Sequence, residues 1–404
     1  MTHTLRRRDF LKRAGALAVF TIVPAHVLRA QTAPSNQLTR AILGFGGIAH
    51  SDNHLGYKAT RLVALCDVDA KHLEEGVRLA GENGYGKIDG YRDFREVLAR
   101  KDVDIIHICT PPHWHGLMSV MAAQAGKDIW CEKPMTRTIG EGRRVMEAVQ
   151  ANGRIFRLNT WFRFQSTFYG FGTEVKPIKK IIENRLLGWP VKAVVGETTG
   201  FTLKFMWSGM TNLKPEPIPD TFDYNLWLGP APFKPYHPHR THETFRGYWD
   251  YDGGGLGDMG QHYLDPVQYL MEKDDTSPIK VEIDGAPQHP DAAGSFRRIT
   301  YTYADGCQLI LDGDNSLKGA PFLEGPAGKV WPKMKSDIPH LENLLTELPE
   351  PAQQQTDFLE SVKLRRPFAL NEKNGFRSAT IVNLGITAMR LGRGFAFDPV
   401  KLCA

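Results

Sequence analysis

Apolar runs and helical patterns alternate along residues 38–160. Short apolar runs predict a strand at the start of 41–49, ahead of its glycines, and further strands at 61–66, 103–109, 128–131 and 155–159. Segments with helical periodicity lie between them, at 71–83, 91–99, 115–125 and 139–151. Strands that alternate with helices are typical of a parallel sheet, and the near-continuous apolar run at 103–109 is typical of a strand buried on both faces. The pattern therefore predicts an α/β domain with a doubly wound parallel sheet over residues 38–160.

The pattern changes at residue 161, where the chain becomes rich in aromatic residues. Alternating apolar and polar positions predict strands at 191–199, 280–283, 295–303 and 307–312, which favours an α+β domain, 161–404, with a large, mostly antiparallel sheet. Helices predicted at 356–365 and 376–389 are expected to pack back on the first domain. A long passage rich in proline and aromatic residues, 207–252, is compatible with a carbohydrate cleft, since rings stack on sugars, and equally compatible with plain packing.

The first thirty residues predict a twin-arginine export signal. Arg6, Arg7 and Arg8 precede the apolar stretch 14–23, and a candidate cleavage end follows at 28–30. A membrane-spanning helix needs about 20 apolar residues. This stretch is shorter and ends at Pro24, so no stable membrane span is predicted. We expect a protein exported to the periplasm or another extracytoplasmic space, already folded with its nucleotide.

Composition narrows the classes of partner. Hydrophobic residues make up 42% and charged residues 24% of the chain, as in globular proteins. The formal net charge of +5 includes the basic residues of the signal, so it indicates no nucleic-acid partner. The five cysteines show no metal-ligand spacing, and Cys66, Cys109 and Cys131 fall at the ends of predicted strands. Buried thiols are therefore predicted rather than a disulfide framework.

A glycine-rich turn follows the first predicted strand, and an acidic residue follows the second. The turn reads Gly44, Phe45, Gly46, Gly47, Ile48 and Ala49, and Asp67 stands 21 positions after Gly46. Glycines in such a turn let the backbone approach a pyrophosphate at the start of a helix, and the carboxylate accepts hydrogen bonds from a ribose diol. Because a carboxylate repels a 2′-phosphate, the pair predicts a Rossmann-type site for NAD, with NADP less favoured.

Two further groups of residues follow predicted strands of the same sheet. Thr110, Pro111 and His115 come after the strand at 103–109, whereas Glu132 and Lys133 come after the strand at 128–131. Ligands of such folds bind beyond the carboxyl ends of the strands. These five residues are therefore predicted to contact the cofactor.

Asp258 and His262 stand four positions apart in a predicted helix that follows three glycines, 253–255. Residues at this spacing share one helix face. A carboxylate beside an imidazole orients the ring and raises its basicity, which makes His262 a candidate general base. A structural hydrogen bond is the alternative interpretation of the same pair.

Taken together, these motifs resemble the glucose–fructose oxidoreductase/inositol dehydrogenase (Gfo/Idh/MocA) family. The resemblance rests on GFGGIA at 44–49, Asp67, TPPHWH at 110–115, GKDIWCEKP at 126–134 and GGGLGDMGQHYLD at 253–265. It implies that Lys133 bridges nicotinamide and a substrate hydroxyl, while Asp258 and His262 bind the reacting carbinol and His262 takes its proton. It further implies a homodimer or homotetramer.

The implied activity is hydride transfer from a sugar, polyol or glycoside carbon to NAD. Because an exported enzyme meets little free NAD, we expect a tightly bound cofactor that is recycled within each turnover. Two alternatives stay open at this point: an NAD-dependent glycosidase that works through a transient keto-sugar, and a non-catalytic protein that binds sugar and nucleotide.

Substrate and metal candidates complete the sequence-based hypothesis. Arg163, Arg246 and Trp249 are candidate contacts to the carbohydrate substrate. Five histidines could in principle bind a metal ion: His113, His115, His237, His239 and His242. The sequence shows no further ligands that would converge with them, so no metal is predicted.

Overall fold

The computed structural model describes residues 37–160, 162–164, 175–199 and 207–402 of the 404-residue chain. The predicted export signal at 1–30 lies outside the described residues, as does residue 161, where the predicted second domain begins.

Six strands in the first part of the described chain form the predicted parallel sheet. Their order is β3-β2-β1-β4-β5-β6, and every neighbouring pair is parallel. The strands are β1 (Thr39–Leu43), β2 (Arg61–Cys66), β3 (Asp89–Tyr91), β4 (Ile105–Ile108), β5 (Asp128–Glu132) and β6 (Phe156–Asn159). All residues of β1, β4 and β5 are buried, as expected for strands covered on both faces. The carboxyl ends of the strands therefore meet at one edge.

Three of the four helices between these strands begin at a side-chain cap, whereas the third begins at Pro112 without one. The four are α1 (Ala70–Glu82), α2 (Phe94–Ala99), α3 (Pro112–Gln124) and α4 (Ile139–Ala151). Asp69 accepts from the backbone N–H of Lys71, and Thr138 forms a capping box with Glu141. The helix predicted at 91–99 starts later than expected, because Tyr91 belongs to β3 and Asp93 caps the helix.

The second part of the described chain contains a mixed sheet in the order β12-β11-β7-β10-β9-β8-β13, antiparallel apart from the β7–β10 pair. Its strands are β7 (Lys192–Val195), β8 (Lys280–Asp284), β9 (Arg298–Thr302), β10 (Gln308–Asp312), β11 (Leu323–Gly325), β12 (Gly328–Val330) and β13 (Phe395–Ala396). Ile299 and Tyr301 are buried, whereas Thr300 and Thr302 are partly exposed, so one face covers a core. The predicted fold class is confirmed.

Helices of this part are α5 (Val175–Glu183), α6 (Tyr224–Leu228), α7 (Gly254–Leu270), α8 (Leu341–Glu347), α9 (Phe358–Leu364) and α10 (Glu372–Leu391). Helix α7 packs closely on α10, because Gly253 and Gly260 leave room for Ile386 and Val382. The backbone N–H of Leu158 in β6 donates to the carbonyl of Leu370. No helix among the described residues has both the length and the apolar character needed to cross a membrane.

Candidate active site

The glycine-rich turn after β1 leaves its backbone open. Gly44 has φ +85°, and a Cβ there would lie 2.8 Å from the Thr110 nitrogen, so a larger residue would collide with the neighbouring loop. A Cβ on Gly46 or Gly47 would meet nothing within 4 Å. The turn therefore presents bare backbone to open space, as a dinucleotide site requires.

The helix expected after this turn is a short 3-10 turn, Gly47–His50. Bends and turns follow at Ser51 and Asp52, residue types that bond to nearby backbone and favour turns. The helix N-terminus predicted to hold the pyrophosphate is therefore the start of a single 3-10 turn, and pyrophosphate binding there stays a prediction. Gly44, Phe45 and Ala49 already donate their backbone N–H groups within the protein, so the candidate donors to an anion in this turn are at Gly46, Gly47 and Ile48.

A cavity of about 510 Å³ runs along the carboxyl edge of the parallel sheet. The first part of the chain contributes to its lining Gly44, Phe45, Gly46, Gly47, Ile48, Asp67, Thr110, Pro111, Glu132 and Lys133. The second part contributes Phe222, Leu226, Trp227, His242, Phe245, Arg246 and Asp258. The structure thus gathers almost all of the predicted cofactor residues, together with residues from the second part of the chain, around one cavity.

Asp67 marks one side of the cavity. Its two carboxylate oxygens accept the backbone N–H groups of Phe45, at 2.7 Å, and Asp69, at 2.8 Å. Burial raises the pKa of Asp67, and these two hydrogen bonds oppose that rise. Each carboxylate oxygen can accept a further hydrogen bond, so the group fits a ribose diol.

Lys133, Asp258 and Arg246 mark another side. Lys133 Nζ lies 3.1 Å from Asp258 Oδ2 and donates to the Asp258 carbonyl at 2.9 Å, while Arg246 Nε donates to Asp258 Oδ1 at 2.9 Å. Burial would raise the pKa of Asp258, but the charges of Lys133 and Arg246 outweigh burial and lower it. Strands β2 and β5, which precede Asp67 and Lys133, are three strand spacings apart, or about 14 Å. The two groups therefore lie at opposite ends of the cavity.

His262 lies one helical turn beyond Asp258. Its Nδ1 is hydrogen-bonded to Thr160 Oγ1 at 2.7 Å, and its ring packs 4.8 Å from the ring of Phe162. It is buried and is not among the residues that line the cavity. The ring is therefore oriented by the residue that follows β6, a partner that the sequence did not indicate.

Asp252 is an acidic residue that sequence reasoning missed. It is fully buried, and its Oδ1 accepts the backbone N–H of Gly253 at 2.8 Å at the start of α7. Burial, reinforced by the charge of Asp258, raises the pKa of Asp252 to about 7. A carboxyl group that titrates near neutrality therefore lies behind the Lys133–Asp258 pair.

Glu132 anchors a polar cluster behind the cavity wall. Its Oε1 is hydrogen-bonded to His54 Nε2 and accepts from Asn159 Nδ2, and His107 Nε2 lies at 3.9 Å. Burial alone would raise the pKa of Glu132, but the interactions with His107 and His54 hold it well below its usual range. His54 and His107, which belong to none of the sequence motifs, thus keep Glu132 in its carboxylate form.

His115 does not line the cavity, contrary to prediction. Its ring is buried, and its two nitrogens lie within hydrogen-bond distance of the carbonyls of Thr110, at 2.7 Å, and Pro134, at 2.6 Å. His115 therefore ties together the two loops that contact the cavity and has no contact of its own with it.

Two predicted substrate contacts are also corrected. Arg163 is buried and pairs with Asp265, at 2.7 and 2.8 Å, and with Asp274. Trp249 is buried, and its indole N–H donates to the carbonyl of His289 at 2.9 Å. Neither lines the cavity, because both are held in the core by polar partners. Arg246 is the predicted substrate residue that the structure places beside Asp258.

The described cysteines, Cys66, Cys109, Cys131 and Cys307, are buried and free. Among the described residues, two groups bring potential metal-ligand atoms within 4.8 Å of one another. They are His54, His107, Cys109 and Glu132, and Asp69, His72 and His242. Of the histidines considered from the sequence, His242 belongs to one of these groups. The absence of a metal stays a prediction.

Family models match both parts of the chain. Residues 38–160 match the NAD-binding Rossmann fold of the oxidoreductase family GFO_IDH_MocA, and residues 171–404 match its C-terminal alpha/beta domain. The chain belongs to the Gfo/Idh/MocA oxidoreductase family. The cofactor of the family's Rossmann domain is NAD, and the open glycine turn and Asp67 carboxylate fit that cofactor.

The match to an individual curated protein covers a smaller part of the chain than the family models do. The chain is 26% identical over 172 residues to a glycosyl hydrolase family 109 protein of Shewanella baltica, a match that covers 37% of this chain and 38% of that protein. The chain therefore matches well under half the length of this curated relative.

Solved structures resemble the fold over most of its length. A WlbA dehydrogenase from Bordetella pertussis, in complex with NADH and UDP-GlcNAcA, has a TM-score of 0.60 at 17% identity, over 90% of this chain and 98% of that chain. An aldose–aldose oxidoreductase from Caulobacter crescentus has a TM-score of 0.55 at 18% identity, over 89% and 100%. At these identities the likeness establishes the shared fold.

Proposed function

We propose that this protein is an NAD-dependent oxidoreductase that oxidises a hydroxyl group of a sugar, polyol or glycoside. The observation that carries the proposal is the cluster of Lys133, Asp258 and Arg246 at the end of the cavity opposite Asp67. A partly buried cation held in place by a buried carboxylate suits a reaction in which negative charge develops on a substrate oxygen.

Within this proposal, Lys133 stabilises the alkoxide. An ammonium group has three N–H donors. The Asp258 carboxylate and carbonyl engage two of them, so the third can reach a substrate hydroxyl. Asp258 fixes the position of Nζ, and Arg246 holds the other oxygen of that carboxylate. When bound, NAD supplies the hydride acceptor.

His262 is proposed as the general base. Its place one turn beyond Asp258 on α7 puts both residues on one helix face. The hydrogen bond with Thr160 holds the imidazole in one orientation, which a proton acceptor requires. In this proposal His262 accepts the hydroxyl proton while Lys133 stabilises the charge on the same oxygen. Because His262 does not line the cavity, the proposal requires the substrate to reach the helix face that carries Asp258 and His262.

Asp67 supports a preference for NAD over NADP. A carboxylate that already accepts two backbone N–H groups is held rigidly where a 2′-phosphate would bring further negative charge. We further propose that the cofactor stays bound and is recycled between turnovers, in keeping with the predicted export.

A second candidate function is an NAD-dependent glycosidase, in which a transient keto-sugar acidifies a neighbouring C–H bond. The match to a protein named as glycosyl hydrolase family 109 favours it. The two functions share the oxidation step and differ in whether the hydride returns to the same substrate.

Purified, dialysed protein tests both. Nucleotide released by acid is identified by mass spectrometry, and NADH absorbance is then followed with sugars, polyols and aryl glycosides. We expect near-stoichiometric NAD or NADH. NADH that accumulates with substrate indicates net oxidation, whereas glycoside cleavage without accumulation indicates the glycosidase. No turnover with any of these substrates, in protein that binds NAD, would favour the non-catalytic alternative.

Location and assembly stay predictions. The partly exposed face of the second sheet, which includes Thr300 and Thr302, supports self-association into a dimer or tetramer, and light scattering after gel filtration tests it.

A further inference from the structure

The 207–252 segment folds around its own aromatic rings. These rings form a buried cluster of Phe222, Tyr224, Trp227, Tyr236, Phe245, Tyr248 and Tyr251. Tyr248 and Tyr251 are fully buried, and the ring of Trp227 stands 4.8 Å from that of Tyr251. Most of these rings are therefore a scaffold for the segment, whereas Phe222, Trp227 and Phe245 also line the cavity.

One part of the segment is attached to the chain that follows β2. The backbone N–H of Ala70 donates to the carbonyl of Thr221 at 2.9 Å, and that of Asp223 donates to the carbonyl of Val68 at 3.0 Å. These bonds flank an antiparallel bridge between Asp69 and Phe222. Because Asp67 lies two residues before Asp69, the attachment is beside the proposed ribose site.

Arg92 strengthens the same attachment. Its Nη2 donates to the carbonyls of Val68, at 2.6 Å, and Thr221, at 3.1 Å, and so joins the two chain segments. Arg92 also lines the cavity.

A second attachment lies at the start of α3. Both Trp114 Nε1 and His113 Nε2 are hydrogen-bonded to the Trp227 carbonyl at 2.9 Å. Gly229 follows with φ +48°, and a Cβ there would lie 2.0 Å from the indole of Trp114. The segment is therefore fastened on both sides of the glycine turn, and it spans the cavity between β2 and β4.

Phe222 and His242 line the cavity on the Asp67 side. Their rings are 5.2 Å apart, and the His242 ring is 4.9 Å from that of His72 on α1. His242 Nε2 also lies 3.6 Å from Asp69 Oδ2. His72 Nδ1 in turn lies 3.8 Å from Asp67 Oδ2, so two flat side chains from the second part of the chain border the group around the carboxylate that fits the adenosine ribose.

We propose that the 207–252 segment is a clamp that covers the adenosine half of NAD with Phe222 and His242 and slows its release. This inference rests on NAD as the cofactor and deepens the proposed retention of that cofactor. Adenine offers flat faces on which aromatic rings stack. Release then requires the segment to separate from residues 68–70 and from Trp114, which breaks several backbone hydrogen bonds together.

The test is the rate at which bound NAD exchanges with free nucleotide. Protein loaded with radiolabelled NAD is mixed with excess unlabelled NAD, and the label that stays bound is measured over time. We expect Phe222→Ala and His242→Asn each to speed release about tenfold or more, a size typical of lost ring stacking. Arg92→Met is expected to act in the same direction, because it removes the tie between Val68 and Thr221.

Phe233→Ala is the matched control for the ring substitutions, because Phe233 belongs to the same segment and is 75% exposed. Its release rate should equal that of the unmodified chain. Asparagine tolerates the φ of +50° found at position 242, so His242→Asn is expected to fold. This variant decides the outcome if Phe222→Ala does not fold.

AMP affinity, measured by calorimetry on nucleotide-free protein, locates the effect. We expect Phe222→Ala and His242→Asn to weaken AMP binding, and Lys133→Ala, at the other end of the cavity, to leave it unchanged. Release at the unmodified rate in both His242→Asn and Arg92→Met would overturn the clamp. Slow release from a protein that oxidises no sugar would instead leave the clamp standing and overturn the proposed function.

Discussion

Two aspartates on one helix show what separates a site residue from a structural one. Asp258 and Asp265 both lie on α7, both are buried and both pair with cations. Asp258 bonds to Lys133 and Arg246 and lines the cavity, whereas Asp265 bonds to Arg163 and does not. Buried ion pairing is common to the two, so contact with the cavity is what distinguishes the aspartate that a bound ligand can meet directly.

The difference also appears on the cationic side. Lys133 has a side-chain exposure of 15%, against 1% for Arg163. Burial would lower the pKa of Arg163, but the carboxylates of Asp265 and Asp274 raise it. Arg163 is therefore a permanent charge enclosed by carboxylates, whereas Lys133 keeps access to a ligand.

The largest expected effect is a loss of turnover when Lys133, the cation that lines the cavity, is replaced. We expect Lys133→Ala to lower turnover at least about 100-fold, because it removes a charged donor at the reacting oxygen. Bound nucleotide should persist, since Asp67 and the glycine turn are untouched. NADH formation and acid-released nucleotide measure the two properties.

Lys71→Ala, at an exposed position on α1, is the control and should keep full activity. Unchanged turnover in Lys133→Ala would remove this residue from the proposed mechanism.

The next effect is on the buried pair. We expect Arg163→Met to reduce the free energy of unfolding by about 3–5 kcal/mol, because it leaves Asp265 as an uncompensated charge in the core. Urea denaturation followed by circular dichroism measures the loss. The folded fraction should retain its KM, since Arg163 does not line the cavity.

Replacing both partners, Arg163→Met with Asp265→Leu, should recover part of that stability. If the single variant instead keeps its stability and loses substrate affinity, Arg163 belongs with the site residues after all.

The smallest effect concerns Asp252, which lies behind the cavity end. Its pKa is raised to about 7 in the folded chain, against about 3.9 in an unfolded one. The folded state therefore binds this proton more tightly, and stability falls as pH rises from about 4 to about 7. We expect Asp252→Asn to raise the melting temperature at pH 8 by a few degrees and to change it less at pH 5.

Scanning calorimetry of both proteins at the two pH values measures this difference. An equal shift at both values would mean that Asp252 is ionised throughout this range.

Local sequence patterns were enough to predict the parallel sheet, its helices and the glycine turn. Buried strands require apolar runs, and caps such as Asp69 and Thr138 start helices from their own side chains, so the parallel sheet and its helices followed from short stretches of sequence. The glycine turn and Asp67 followed for the same reason, because backbone access and a carboxylate at a strand end are local properties.

Contacts between distant residues were beyond such patterns. Lys133 and Asp258 are 125 positions apart, so no rule of helix or strand spacing predicts that they meet. The resemblance to a family was what indicated it. Asp252, Thr160 and His54 carry no motif, so their place beside the site became visible in the folded chain alone.

The tertiary structure also decided which polar side chains face the cavity. The sequence does not show whether an arginine, histidine or tryptophan contacts a ligand or a buried group of the protein. In the folded chain, Arg163, His115 and Trp249 have buried partners within the protein. The sequence by itself determined the sheet, the glycine turn and the acid that follows it. Packing of the second part of the chain decided which side chains the cavity reaches, because burial depends on neighbours far away in the sequence.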